Sequence, residues 1–265
     1  FGNRRWYNRN LWLIDNVHID AGNAKVKTWT GTGWTGENTN RPTSREKAVF
    51  NGTYNFSGTE ATDLTVCECE VKSGKNVTIP ANRALTVRNK ITNLGNGNNF
   101  VVQTGGNLIQ IEDEAVNSGS ITAERLVSDI NNISTHMDYL YWSAPVTGQG
   151  LKAFSPGTPD NRIFQYNEPN DLFKAVPLAT EPNFVPGKGY AFRAESGTGI
   201  SNPYSKTYKF KGVPNNGLIE REVQRSPNTG VAADVVHGYN LIGNPYPSNM
   251  SFEQFYQLNK DVIYN

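Results

Sequence analysis

The sequence predicts an all-β protein: a short β-solenoid-like stack followed by a β-sandwich that carries one short helix. Three observations predict it. Between Cys67 and Ile121 the chain repeats brief apolar triplets parted by Gly, Asn and other polar residues. From Tyr139 onward, longer β-prone runs alternate with turns that carry proline or glycine. Helical periodicity is confined to residues 252–258.

Residues 1–24 are expected to supply the closing strands of a domain lying upstream. Residues 11–19 read as one or two strands with no partner before them, and an unpaired ladder edge inside a fold is costly. On this reading the chain is a piece of a longer polypeptide. The alternative is an edge strand added to the solenoid.

Residues 25–138 form the expected solenoid-like unit. Its first part is rich in Gly, Thr and Asn, with Trp29, Trp34, Phe50, Tyr54 and Phe56 interspersed. Two glycines between Trp29 and Trp34 predict a turn, and 48–54 a strand and turn. A terminal rung of a solenoid exposes apolar surface that must be covered, so these aromatics are expected to cap its open end. The functional alternative for Trp29 and Trp34 is a glycan-stacking platform.

Cys67 and Cys69 cannot make a four-ligand metal site alone, and no histidine lies near them in sequence. In one strand they face the same side, further apart than an ordinary disulfide prefers. A local disulfide across a tight bend and a pair of buried reduced thiols are both open. Next come Val77-Thr78-Ile79, Leu85-Thr86-Val87, Phe100-Val101-Val102, Leu108-Ile109 and Ile121. Side chains alternate along a strand, so each full triplet can point two residues inward and one outward. Triplets start about eight residues apart at 77 and 85, and again at 100 and 108, which suits a narrow stack of turns. Asn93, Asn96, Asn98, Asn99 and Asn117 suit its corners, because Asn tolerates left-handed backbone. Glu112-Asp113-Glu114 matches no calcium-loop spacing and reads as a solvated turn.

Residues 139–265 form the expected β-sandwich-like unit, which is not clearly closed at its end. A strand over 139–146 is followed by strands at 162–167, 189–194, 207–211, 217–223 and 239–243. Gly243-Asn244-Pro245-Tyr246-Pro247-Ser248-Asn249 reads as a rigid corner packed by Tyr246, or alternatively a binding loop. Ser251 then caps a helix with Phe252, Phe255, Tyr256 and Leu258 on one face.

Chemistry is sparse. The chain has 25 Lys and Arg against 24 Asp and Glu, so no net field draws it to nucleic acid or an anionic membrane. No apolar run is long enough to span a bilayer. His18, His136 and His237 fall in three separate segments, and Ser143 lacks a nucleophile elbow. Nucleotide-binding and zinc-helix motifs are missing. Asp160, Glu168, Asp171, Glu181 and Glu195 could supply a carboxylate pair for glycoside hydrolysis, but spacing promotes none of them. The chain is therefore expected to be non-catalytic and to need no cofactor or metal.

Several stretches carry a resemblance. Residues 77–87, 91–95 and 104–110 look like a module common in large exported proteins of Bacteroidota, especially flavobacteria. Residues 141–146, 186–192 and 241–248, the last ending in Gly-Asn-Pro-Tyr-Pro-Ser, resemble the domain that usually follows it. Residues 12–19 resemble the last strand of an upstream jelly-roll or lectin-like domain. The resemblance implies export by the type IX secretion system, whose machinery would be a partner in transit, and a secreted or outer-cell-surface location. It transfers no catalytic residue. The expected function is a cell-surface stalk or adhesion and presentation module, with a surface glycan or protein as ligand. A carbohydrate-binding accessory or spacer of a secreted hydrolase, and a cargo fragment associated with the secretion machinery, are the alternatives.

Overall fold

Short strands separated by corner-forming residues wind into coils, as the triplets require. The structure, a computed structural model, describes residues 24–133, 136–195, 200–227 and 237–263. β1 (Val26–Trp29) and β2 (Trp34–Thr35) form a hairpin with Trp29 opposite Trp34, so the expected turn is present. β3 (Lys47–Phe50) lies parallel to β1 and starts a coil that closes through Tyr54 and β4 (Leu64–Val66). The next coil is β5 (Glu68–Val71), β6 (Val77–Ile79) and β7 (Ala84–Val87). A third is β8 (Ile91–Asn93), β9 (Phe100–Val102) and β10 (Asn107–Gln110).

Each side of the coil stacks in parallel on the same side of the next: β1-β3-β5-β8, β4-β7-β10 and β6-β9. Leu85 sits beside Leu64, 21 residues on, and Phe100 beside Val77, 23 residues on. The eight-residue spacing in the sequence is thus the step between two sides of one coil, and the stacking repeat is the whole coil. Val77, Ile79, Leu85, Val87, Phe100 and Val102 are fully buried. Each contributes roughly 1.5–3 kcal/mol relative to an exposed side chain.

Asn96, Asn98, Asn99 and Asn117 lie between strands as expected, but none of them takes a left-handed φ, and Asn93 belongs to β8. Asn96 accepts from the Asn98 N–H at 2.9 Å, and the Asn99 side chain accepts from the Asn96 N–H at 3.1 Å. Asn93 alone faces the core, where its amide donates to the Asn96 and Ser120 carbonyls at 3.0 and 2.7 Å. A buried amide without such partners would cost a few kcal/mol.

At the first end Trp29, Trp34, Phe50, Tyr54 and Phe56 form one buried aromatic cluster with ring centroids 4.9–5.8 Å apart. Two of its polar tips converge on Glu60, which accepts from Trp34 Nε1 at 3.1 Å and the Tyr54 hydroxyl at 2.9 Å, and pairs with Arg41 at 2.9 Å, while Trp29 Nε1 donates to the Thr53 carbonyl at 2.8 Å.

Beyond the third coil come β11 (Ile121–Ile130), β12 (Asn132–Ile133), β13 (His136–Met137), β14 (Tyr139–Trp142) and β15 (Val146–Thr147). A one-turn helix α1 (Leu151–Phe154) precedes β16 (Ile163–Asn167), β17 (Leu172–Ala175), β18 (Tyr190–Arg193) and β19 (Tyr204–Pro214). α2 (Phe252–Asn259) lies near the end of the chain. β11 begins parallel to β9 on the stack and then pairs antiparallel with β19 from Ile121 to Ile130. One sheet, β15-β19-β11-β9-β6, therefore runs from solenoid to sandwich. The second sandwich sheet is antiparallel, in the order β14-β18-β16-β17. Between the two, Phe154 contacts Trp142, Phe184, Phe192, Tyr208 and Phe210 at 4.2–5.7 Å.

Three details differ from the sequence reading. Residues 217–223 and 239–243 are not strands; Ile242 makes only an isolated bridge to Lys188. Among the described residues, the 239–243 segment makes just two backbone bonds, from the Gly189 N–H to the Leu241 carbonyl and from the Gly243 N–H to the Gly187 carbonyl, and does not extend them into a ladder. α2 forms under its Ser251 cap, with Ser251 Oγ accepting from the Gln254 N–H at 3.3 Å, but Phe252 and Leu258 remain exposed. The strand over 139–146 breaks at Ser143, and its two parts join different sheets. The strand expected over 11–19 lies outside the described residues.

Candidate functional site

The corner at 243–249 lies beside a large open cleft. Asn244 Oδ1 accepts from the Tyr246 N–H at 3.0 Å, and its amide donates to the Ser248 carbonyl at 2.6 Å. The Tyr246 hydroxyl donates to the Gly217 carbonyl at 2.6 Å, and the Pro245 carbonyl accepts from Asn215 at 2.9 Å. On the other side the Pro247 carbonyl accepts from the Leu108 N–H at 2.9 Å, on the outer edge of β10. The motif is therefore a clasp that holds the sandwich to the last coil.

Next to this clasp lies a cleft of about 910 Å³, bordered by Arg125–Val127 of β11, β14, and residues 241–250. Among the described residues, Arg125 is the one charged residue that lines it. Arg125 is paired with Tyr208 in the β11–β19 register, so its side chain is on the face that looks across at the second sheet. Its Nη1 donates to the Glu124 carbonyl at 2.8 Å, and among the described residues it has no carboxylate partner. Burial lowers its pKa from the usual arginine value.

β14 is an edge strand bearing aromatics on both faces. Leu140 and Trp142 pack against the core, while Tyr139 and Tyr141 are exposed. The two tyrosines, with Phe164, Phe173 and Ala191, line a shallow apolar bowl of about 270 Å³ on the outside of the sheet. Its rings are tilted against each other, with Tyr139–Phe164 at 58° and Tyr141–Phe173 at 44°. Tyr139 and Tyr141 also border the cleft, so the bowl and the cleft meet along β14.

Residues singled out in the sequence fall elsewhere. Trp29 and Trp34 are 8% and 3% exposed and offer no ring face to a sugar; they serve as the cap. Cys67 and Cys69 are both free thiols, Cys69 buried in β5 and Cys67 half-buried at the bend before it. Burial raises the pKa of each. Glu112 pairs with Arg88 on an exposed turn.

The acids considered for catalysis are engaged in separate structural contacts. Asp160 pairs with Lys152 at 3.0 Å, and Asp171 accepts from the Tyr166 hydroxyl. Glu181 holds Lys188 at 2.6 Å and the Tyr190 hydroxyl at 2.5 Å. Glu195 is buried, which opposes its ionisation, but Lys206 and Ser155 outweigh that and keep its pKa below the ordinary value.

Glu168 is the most enclosed of these acids. Burial alone would raise its pKa. The Ser226 N–H and hydroxyl, the Gln224 amide and the Gly238 N–H outweigh it and hold the value at about 2. His237 is buried beside it, with Nδ1 3.6 Å from Glu168 Oε1. No group of three or more potential metal ligands occurs among the described residues. No helix among them is long and apolar enough to cross a membrane.

Sequence reasoning missed Arg125, Tyr139, Tyr141, Phe164 and Phe173 as a site. A signal was present: Tyr139-Leu140-Tyr141-Trp142 is apolar at every position, as a strand with one solvated face ordinarily is not.

A family model described as a domain of unknown function (DUF8693) matches residues 22–265. No curated protein and no solved structure matches the chain.

Proposed function

Taking as premise that the chain belongs to the DUF8693 family, we propose that it is a non-catalytic stalk and presentation module of a large exported cell-surface protein, with adhesion as its purpose. One observation carries this reading. β11 leaves the coil stack and continues as a central strand of the sandwich, so the two units share a sheet instead of a flexible linker. A module built this way holds the cleft and the bowl at a fixed place beyond the last coil. Ladder hydrogen bonds follow the stacking axis of such a solenoid, which suits it to keeping a sandwich away from a surface.

The resemblance to exported modules of Bacteroidota supports the cell-surface setting and passage through the type IX machinery. The tilt of the exposed rings argues against a flat polysaccharide platform and so against the carbohydrate-accessory alternative.

The test is an in-frame deletion of 24–263 in the native gene. Surface labelling of intact cells should detect the wild-type module, and the deletion should lower attachment while the rest of the polypeptide is still exported. Unchanged attachment, or a module that surface label never reaches, would refute the reading.

A further inference from the structure

We propose that the open edge of β14 binds, by strand addition, an extended segment of a partner protein in which apolar and acidic side chains alternate. The proposal rests on the presentation reading above and names the partner chemistry of the presented surface.

The first support is backbone geometry. Ala194 N–H donates to the Asp138 carbonyl at 2.8 Å, and among the described residues β14 pairs only with β18. The hydrogen-bonding groups of an antiparallel strand alternate in direction, so those of Leu140 and Trp142 turn toward β18. Tyr139 and Tyr141 consequently turn their N–H and C=O groups outward, toward the cleft. Soluble proteins usually blunt such an edge with lysine, proline or a bulge. The run Tyr139-Leu140-Tyr141-Trp142 has no lysine or proline, and its register with β18 is unbroken.

The side chains on either side of this edge fix what the added strand must carry. Successive residues of an extended segment point to opposite faces. One set would enter the bowl of Tyr139, Tyr141, Phe164 and Phe173, which takes an apolar group. The other set would enter the cleft on the inner side, where, among the described residues, Arg125 is the one charged lining residue and lacks a carboxylate partner. A glutamate or aspartate there would complete a charge-assisted pair with the guanidinium. An alternating apolar and acidic segment meets all three requirements at once. A sugar could use the rings and the arginine, but it lacks the strand-spaced alternation of N–H and C=O groups that matches an open edge.

The probe is a short fluorescent peptide alternating phenylalanine and glutamate, titrated onto the full chain. Saturable binding is expected, with slowed hydrogen exchange at the Tyr139 and Tyr141 amides. Replacing glutamate by lysine in the peptide should weaken binding by at least about tenfold. Arg125→Glu should reverse that preference. Tyr141→Pro, which removes one outward N–H, should abolish binding while leaving the melting curve close to that of the unmodified chain. Arg125→Glu keeps the idea testable should the proline variant not fold.

Equal affinity for the two peptides, no binding at millimolar peptide, or full binding by a folded Tyr141→Pro would overturn the proposal. So would a concentration-dependent dimer that Tyr141→Pro dissolves and the peptide cannot displace, since a second copy would then occupy the edge. Polygalacturonate binding to the same residues in place of the peptide would overturn it too. If cell attachment needs the module but peptides fail, the peptide proposal falls and the stalk reading stands. Peptide binding without any effect of the deletion on attachment gives the opposite result.

Discussion

Replacing Phe154 by alanine should weaken the entire molecule, including coils that this residue never touches. Phe154 is 5% exposed and meets five other rings at 4.2–5.7 Å. Taking its side chain out of the core forfeits about 2–3 kcal/mol of transfer free energy. The cavity and lost ring contacts bring the expected cost to about 3–5 kcal/mol. Two of the rings, Tyr208 and Phe210, belong to β19, which is held on both sides by β11 and β15 and cannot easily close the gap.

With a urea dependence of about 3 kcal/mol per molar, the unfolding midpoint should fall by about 1–1.7 M. The assay is urea unfolding followed by hydrogen exchange and mass spectrometry. Peptides from β4 and β7 should lose protection at the same lowered urea concentration as those from β16 and β18, because the shared sheet couples them. Sandwich peptides opening early while the coil peptides keep their original midpoint would refute the argument that β11 makes one cooperative unit.

Other consequences are equally open to measurement. Glu168 has its folded pKa depressed to about 2 from an ordinary 4.5, so its stabilising effect is complete above pH 4.5 and fades as pH falls toward 2. Protection of the Ser226 and Gly238 amides, measured against the intrinsic exchange rate at each pH, should fall over that window, and Glu168→Gln should remove this pH dependence; an unaltered acid profile would contradict the assignment. A thiol reagent at pH 8 should modify Cys67 before Cys69, which should react only on unfolding; equal rates would show that β5 is not packed as described. Gly119 has φ +81°, and a Cβ there would lie 2.0 Å from the Asn93 carbonyl oxygen. Gly119→Ala should therefore cost about 2 kcal/mol or more and loosen the last coil, read as a lowered melting temperature.

The triplets made the coil legible because each buries its first and last residues, a pattern that does not depend on distant chain. The cap was legible for a similar reason, since Trp29 and Trp34 sit in one hairpin. What joins the two units could not be read that way. The Ile121–Ile130 strand meets Tyr204–Pro214 across more than seventy residues, and no local pattern specifies that register. The same limit explains the two failed strands: 217–223 and 239–243 have the composition of strands, but whether a strand partner comes into register beside them is decided by distant chain, and 239–243 gains only an isolated bridge.

The docking surface was hidden differently. Arg125 has an ordinary place in a charged strand, and only the fold shows that Lys209 pairs with Glu124 while Arg125 faces the cleft without an acid. Gly-Asn-Pro-Tyr-Pro-Ser was visible as a rigid corner, but its bond to Leu108 depends on where the last coil ends.

That bond sets a dimension of the protein. A parallel coil stack has no inherent size, because its outermost ladder can always accept another layer. Here the Trp29–Trp34 hairpin finishes one extremity, while β19 and the Pro247 carbonyl finish the other. Height is consequently adjustable apart from chemistry. Duplicating one coil of 21–23 residues would raise the sandwich by about 4.8 Å and disturb neither terminus of the stack, so a gene could tune reach like the rungs of a ladder.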